Sequence, residues 1–445
     1  MTELSPPRSV DPLTMLPREL AEQVLGYLNF RQLMKTSLVS KEWAQFIRRT
    51  PNLWHHLDLT HAKRTVKNAF VSRAINIGRS KLKAATLNNL FEIDKALSAL
   101  ARTCPLEELN LRNTGLLSKQ IVDALKPVKN LKILRIYKGT TLSSGSVTSI
   151  LKNASLVLEA FVCEDMSTHS KPHDFNISGH DFPNMQKLDV SWSAAWQGAF
   201  PLLQSLPSMP NLRILKLHQL STTARPAAMH PLIDLSGLTQ LSTLDLLIEV
   251  LHAHDIILPS AIKSLAIGTW RPRHARFFVD HSGLMPLQWS LPLLEELRIC
   301  AAEVPFDNFE LALRTTGLTD AQHPMRLHTL SMTASDVCGR LTKDVLSHPR
   351  LAELKHFSLE YCHGVDDSHL SIVASTFPKL ESLNVSGTEV TGAGIKEVVN
   401  NGLRKLVANN CRFVGLDAIQ WARTQGVQVE NRNTDVTTGG KKLRY

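Results

Sequence analysis

The sequence has few cysteines and no long apolar run. Six cysteines are scattered over 445 residues with no CxxC spacing, so neither a disulfide framework nor a cysteine-rich metal site is indicated. No run of about 18 apolar residues occurs, and the first residues carry neither a basic start nor an apolar h-region. These absences predict a soluble chain that is not secreted by that route and that works in a reducing compartment, the nucleus or the cytoplasm.

Catalytic signatures are also missing. The sequence contains 18 histidines, yet no HExxH, GxSxG, GxxxxGK[ST] or GxGxxG motif occurs. The Cys362-His363 pair and nearby His369 come nearest to a metal cluster, but no second cysteine lies at ligand spacing. We therefore expect no catalytic residue, no metal and no cofactor, and a protein that is not an enzyme.

Basic residues exceed acidic ones. Fifty Lys and Arg stand against 40 Asp and Glu, a net charge of +10, which suits an acidic partner or nucleic acid. The excess is modest for this length, so nucleic-acid binding is a minor alternative. The segment from Thr60 to Leu90 contains basic residues and no acidic one. It is predicted to be a partly helical basic connector, either a solvated helix face or a surface for an acidic partner.

A repeat dominates the rest of the chain. The pattern L-x-x-L-x-L first occurs at Leu106, Leu109 and Leu111 and recurs to Leu380, Leu383 and Val385, with weaker copies near Leu82, Val157 and Leu403. About thirteen units follow at a period of roughly 21 to 33 residues, which is typical of leucine-rich repeats. The alternating leucines of each strand should point inward while a helix packs outside, so the predicted fold is an α/β solenoid.

The N-terminal segment shows helical periodicity. Leu16, Leu20, Val24 and Leu28 recur at intervals of three to four, with Pro17 in the first predicted turn, which is typical of an amphipathic helix. Two further apolar groups follow, around Leu33 to Val39 and Trp43 to Ile47. Three short helices in about 45 residues bury little surface, so the unit should lean on a partner or on the following domain.

This segment resembles the F-box family, and the whole chain resembles F-box/leucine-rich-repeat proteins. The resemblance is carried by Leu16-Pro17, Glu19-Leu20, Val24-Leu25, Tyr27-Leu28, Leu33, Leu38-Val39-Ser40-Lys41, Trp43 and Leu53-Trp54. It implies a non-catalytic substrate receptor that docks on the Skp-type adaptor of a cullin-RING ubiquitin ligase and holds a target for ubiquitination and proteasomal degradation. The positions that it implies face the adaptor are Leu16, Pro17, Leu20, Val24, Leu28, Leu33, Leu38 and Val39. The alternative for each position is internal packing, which we expect for Trp43 and in part for Leu25 and Ile47.

The chain also resembles fungal F-box/leucine-rich-repeat proteins linked to DNA replication and genome stability. This resemblance is carried by the stretches LWHHLDLTHAKRTV and SRAINIGRSKLKAATLNNL and by the ending DAIQWARTQGVQVE. Members of that group often carry tetratricopeptide repeats before the F-box, whereas about 13 residues precede it here.

Target binding is predicted on the concave strand face, where the non-leucine positions project. These positions are more basic in the early repeats, which favours an acidic or phosphorylated target; the alternative is a solvated face. The predicted substrate-binding residues are Arg112, Arg135, Tyr137, Lys187, Lys216, His218 and Arg298. A long interval after Ile262 predicts a loop with Trp270, Arg271, Arg273 and Arg276, which either stack on a ligand or pack on the solenoid.

The predicted organisation is a flexible leader (1–13), an F-box (14–60), a basic connector or first repeat (61–90), a leucine-rich-repeat domain (91–430) and a flexible basic tail (431–445). Two alternatives to the receptor function stay open: a scaffold that never joins a cullin, and a chromatin-associated or nucleic-acid-binding protein.

Overall fold

The structure is a computed structural model. It describes residues 11–60, 68–78, 81–90, 93–166, 177, 179–192, 199–219, 233–248, 256–268, 291–300, 327–333, 346–347, 351–362 and 364–432. The chain divides into two compact units, Met1–Met185 and Gln186–Tyr445, and each is described by itself. No helix in these ranges is long and apolar enough to cross a membrane.

The first unit begins with short helices: α1 (Pro12–Met15), α2 (Arg18–Gly26), α3 (Phe30–Thr36) and α4 (Lys41–Arg49). The predicted three helices correspond to α2, α3 and α4, while Pro17 precedes α2 and is not inside it. Local sequence sets the boundaries. Asn29 and Gln32 form a capping box at the start of α3, and the Ser40 hydroxyl accepts a hydrogen bond from the backbone of Trp43 at the start of α4.

Aromatic rings form the core of these helices. Phe30 packs edge-on against Trp54, with 5.8 Å between ring centroids, and against Phe70 at 6.2 Å. The Trp54 indole donates its hydrogen bond to the backbone oxygen of Ile47 at 2.9 Å, so the buried N–H group is satisfied. Phe70 belongs to α5 (Asn68–Ile77), which confirms the predicted helix in the basic connector and joins it to this core.

Five parallel strands complete the first unit: β1 (His56–Asp58), β2 (Ala84–Asn88), β3 (Glu108–Arg112), β4 (Ile133–Tyr137) and β5 (Ala160–Met166). Each pairs in register with the next. The helices α6 (Asp94–Thr103), α7 (Ser118–Leu125) and α8 (Ser144–Ala154) follow β2, β3 and β4. The pattern did not predict β1. Because β1 lies in the predicted F-box segment and pairs with β2, the first strand of this sheet comes from that segment.

The second unit continues the repeat. Its strands are β6 (Lys187–Trp192), β7 (Ile214–Gln219), β8 (Ile233–Asp234), β9 (Thr243–Leu247), β10 (Ile256–Ile257), β11 (Ser264–Gly268), β12 (Glu296–Cys300), β13 (Thr329–Thr333), β14 (His356–Ser358), β15 (Ser382–Asn384), β16 (Lys405–Val407) and β17 (Gln428–Glu430). All but β8 and β10 pair as consecutive parallel neighbours, and those two pair with each other. The helices are α9 (Ala199–Ser205), α10 (Asp367–Thr376), α11 (Gly392–Asn400) and α12 (Leu416–Thr424).

The repeat pattern is confirmed at the thirteen predicted strands. The weaker copy predicted near Val157 begins one residue later, because Leu158, Phe161 and Cys163 are its buried positions. Both units therefore have the predicted α/β leucine-rich-repeat fold. In the second unit the pattern missed β17 and the short pair β8 and β10. The polar positions of the strands alternate with these leucines; we call the surface that they form the polar face of the sheet.

Small buried residues hold the turns after the strands. The Cys411 thiol donates to the Val385 carbonyl across 3.1 Å, and the Thr388 hydroxyl donates to the same carbonyl at 2.6 Å. In the first unit the Thr114 and Thr140 hydroxyls lie 2.8 Å apart. Thr114, Thr388 and Cys411 each lie eight residues after the first leucine of their repeat. Cys362 lies at the same position, and its sulfur is 3.1 Å from the Met332 carbonyl oxygen.

Candidate partner-binding surfaces

Helix α2 carries two apolar stripes. Ala21 and Leu25 are buried against the core, whereas Leu20, Val24 and Tyr27, the residue that follows the last helical position, are exposed. Intervals of three and four residues place the last three on one side of a helical turn. One apolar stripe of α2 therefore packs into the core of the helical unit, and the other stripe lies at the surface.

A second exposed apolar group lies between α3 and α4. Leu38 is 82% exposed and Val39 is 67% exposed. Backbone hydrogen bonds from Leu38 to Lys35 and from Val39 to Thr36 fix this turn, so the two side chains are displayed by an ordered backbone. Scattered exposed apolar residues are ordinary, but several in one small helical unit make it a candidate interaction surface.

The polar face of the first unit carries a chain of hydrogen bonds. Arg135 on β4 pairs with the Glu108 carboxylate and also donates to the Asn110 side chain at 3.2 Å. Asn110 in turn donates to the Thr86 hydroxyl at 3.1 Å. The charge of Arg135 is therefore balanced within the sheet. Arg112 is exposed and Tyr137 is half-buried.

On the polar face of the second unit, a buried carboxylate holds two basic residues. Asp245 on β9 receives a hydrogen bond from Arg298 on β12 at 2.7 Å, and His218 Nε2 lies 3.0 Å from its other oxygen. Lys216 lies opposite Asp245 in the register of β7 and β9. Two predicted substrate-binding residues, His218 and Arg298, thus meet at one carboxylate. The sequence did not reveal this cluster, because Asp245 lies 53 residues from Arg298.

Other charges on this face are also paired. Lys187 lies 3.4 Å from Asp189 on the same strand. Burial raises the pKa of the Cys300 thiol, which follows Arg298 on β12, to about 11, so the thiol stays protonated near neutral pH. Within the described residues no group of three or more potential ligands could hold a metal ion. The predicted loop residues Trp270, Arg271, Arg273 and Arg276 lie outside the described residues.

A comparison with known protein families identifies the N-terminal helical segment. A family model described as F-box-like matches residues 13–60. Residues 13–60 are an F-box-like domain. No curated protein matches the chain.

Solved structures resemble the chain only distantly. An internalin from Listeria monocytogenes has 13% identity and a TM-score of 0.38, and the alignment covers 85% of this chain and 92% of that one. A structure of the Rad7 and Elc1 complex in yeast has 16% identity and a TM-score of 0.43, with 92% and 96% covered.

Most of the predicted adaptor-facing residues lie at the surface of the F-box. Leu16, Pro17, Leu20, Val24, Leu38 and Val39 are exposed, and Leu28 is half-buried. The prediction that Leu33 faces the adaptor was wrong. Leu33 is only 3% exposed because it lies on the inner side of α3, so its side chain belongs to the core of the F-box.

Two exposed F-box residues were missed. Met15 is 70% exposed and Tyr27 is 83% exposed. The periodicity of α2 could have identified Tyr27, which continues the spacing of Leu20 and Val24. Leu25 and Ile47 are buried as expected. Trp43 is half-buried, and its indole donates to Asp11 at 3.0 Å.

Proposed function

We propose that this protein is a substrate receptor of a cullin-RING ubiquitin ligase, with the F-box bound to a Skp-type adaptor and the repeats bound to a target protein. The observation that carries the proposal is the exposed apolar surface of the F-box, formed by Leu16, Leu20, Val24, Tyr27, Leu38 and Val39. F-box domains bind Skp-type adaptors, and this surface has the apolar character that such an interface requires.

Burial of this surface would supply the binding energy. Transfer of apolar area from water is worth about 25 cal/mol per Å², and a few central anchors dominate an interface of this kind. Because Val24 lies between Leu20 and Tyr27 on the exposed stripe of α2, we expect it to be one of those anchors.

The protein would contribute position and no chemistry. A receptor raises the rate of ubiquitin transfer by holding a target lysine near the conjugating enzyme that the complex recruits. The polar face would bind the target mainly through hydrogen bonds, since Arg135, Lys187 and Arg298 already have carboxylate partners. Arg112 is exposed and is the first choice in the first unit for an anionic group on the target.

The test is co-purification of the full chain with a Skp-type adaptor. We expect Val24→Glu to lower adaptor recovery at least tenfold, because it places a charge in an apolar interface. Leu117→Glu is the matched control, since Leu117 is 69% exposed but lies outside the F-box. Unchanged recovery with Val24→Glu, or equal loss with both variants, would contradict the proposal.

The same purification separates the receptor from its alternatives. Recovery of a cullin with the adaptor supports the receptor, whereas adaptor alone supports a scaffold. DNA affinity that falls steeply with salt would support the nucleic-acid-binding alternative. Target proteins of a receptor should accumulate in cells that carry Val24→Glu and not in cells that carry Leu117→Glu.

A further inference from the structure

A cavity lies where the F-box meets α5. Its volume is about 330 Å³, within the range of roughly 300 to 1,000 Å³ in which small-molecule sites fall. Helices α3, α4 and α5 and the Trp54 ring surround it. The lining includes Phe30, Ser37, Arg48, Trp54, Phe70, Arg73 and Ala74.

The walls are apolar and fixed by contacts of their own. Phe30 holds Trp54 and Phe70 in edge-on contacts, and the Ser37 hydroxyl donates to the Met34 carbonyl at 2.7 Å. A Cβ at Gly78 would lie 3.3 Å from the Cβ of Trp54, so the end of α5 also packs closely against this ring. The cavity is thus preformed, and the lining hydroxyl is already satisfied.

The mouth of the cavity is cationic. Arg48 and Arg73 are both exposed, and neither forms an ion pair with any residue that the structure describes. No acidic residue lines the cavity. Two like charges on one cavity repel each other, and a bound anion would remove that repulsion.

The surrounding sequence is also predominantly basic. Only Glu42 and Asp58 are acidic between residues 23 and 91. Glu42 lies in the first turn of α4, about 9 Å along the helix axis from Arg48 at a rise of 1.5 Å per residue. Asp58 accepts two hydrogen bonds from Thr60. The basic residues in this interval are Arg31, Lys35, Lys41, Arg48, Arg49, Lys63, Arg64, Lys67, Arg73, Arg79, Lys81 and Lys83.

We propose that this cavity binds a small organic anion with an apolar body, which lies among the aromatic rings while its carboxylate or phosphate is held by Arg48 and Arg73. Guanidinium groups match both headgroups because their N–H donors form a planar fork. The apolar walls explain why the ligand needs an apolar body, which a bare phosphate ion lacks. The site is separate from the exposed stripe of α2 and from the polar face of the sheet.

Calorimetry on the full chain with four probes tests the proposal. Decanoate and decyl phosphate carry both parts of the ligand, decanol lacks the charge, and inorganic phosphate lacks the body. We expect both charged amphiphiles to bind at least tenfold more tightly than decanol, and inorganic phosphate not to bind measurably. The ratio between the two amphiphiles identifies the preferred headgroup.

Two sets of variants locate the site. Arg48→Gln with Arg73→Gln should weaken decanoate at least tenfold and leave decanol unchanged, whereas Arg102→Gln, at an exposed position on α6, should change neither. Ala74→Leu should fill the cavity and weaken both probes, with circular dichroism and the melting temperature showing that the fold persists.

Equal affinity for decanoate and decanol, or affinity that neither set of variants changes, would overturn the proposal. If decanoate does not bind, and an acidic peptide or DNA binds equally well to the wild type and to Ala74→Leu, the basic surface holds a macromolecule instead. That result would also overturn the proposal.

Discussion

Arg298 donates a hydrogen bond to Asp245 at 2.7 Å although the strand β11 lies between them. The intervening residue in the register is Ala266, whose small side chain leaves room for the guanidinium to cross. The two partners differ in burial: the Arg298 side chain is 45% exposed and that of Asp245 is 4% exposed. Their contributions to stability should therefore differ.

We expect Arg298→Met to destabilise the protein more than Asp245→Asn. Removal of the arginine leaves a buried carboxylate with His218 alone, which should cost about 3 kcal/mol. Removal of the carboxylate leaves an arginine that water can reach, so the loss should be about 1 kcal/mol. Urea denaturation followed by circular dichroism measures both. Arg404→Met is the control, because Arg404 is 78% exposed in its ion pair with Glu381, and its loss should stay below about 1 kcal/mol. Equal losses at Arg298 and Asp245 would contradict the unequal burial.

The F-box core and the F-box surface should respond oppositely to truncation. Leu33→Ala removes a buried side chain, and we expect it to lower the free energy of unfolding by about 2 to 5 kcal/mol. Val39→Ala should change it by less than about 0.5 kcal/mol, because Val39 is exposed. In adaptor binding the order should reverse at a temperature where both variants are folded. A folded Leu33→Ala variant with weaker adaptor binding than Val39→Ala would place Leu33 in the interface after all.

A glycine beneath a tyrosine ring should be indispensable. Gly387 has φ of +70°, and a Cβ there would lie 2.3 Å from Cδ1 of Tyr361. We expect Gly387→Ala to cost at least about 3 kcal/mol, because backbone strain of about 1 kcal/mol adds to a steric clash. At Gly402, φ is +90° and no atom lies near the added Cβ, so Gly402→Ala should show the strain alone. Thermal unfolding of both variants measures the difference, and Tyr361→Ala combined with Gly387→Ala should recover part of the loss.

The N-terminus of α10 should be sensitive to acid. Hydrogen bonds from the Ser368 hydroxyl and the His369 ring lower the pKa of Asp366 to about 2. Because the folded-state pKa lies below the unfolded value of about 3.9, the ionised carboxylate stabilises the protein above that pH. This stabilisation is lost as the pH falls towards 2. The stability advantage of the wild type over Asp366→Asn should therefore shrink between pH 5 and pH 2. Chemical denaturation at each pH measures it, and a constant difference would show that the carboxylate charge contributes nothing.

Some elements followed from the sequence alone. The leucine spacing predicted thirteen strands, one of them with a shift of one residue, because a strand buried on one face needs an apolar residue at every second position. It missed β1 and β17, which lack the full pattern. The helical spacing predicted α2 to α4, yet it could not assign each apolar residue to the core or to the surface, since both stripes of α2 have the same chemistry.

The F-box and the repeat were thus determined by the sequence, because family motifs and periodicity are local properties of the chain. The tertiary structure decided which side chains remain available for binding. It buried Leu33, paired Arg135 with Glu108, and brought Asp245 to Arg298 from 53 residues away. It also gathered Arg48 and Arg73 around one apolar cavity. Burial and charge pairing depend on neighbours that are distant in the sequence, and for that reason only the folded chain settles them.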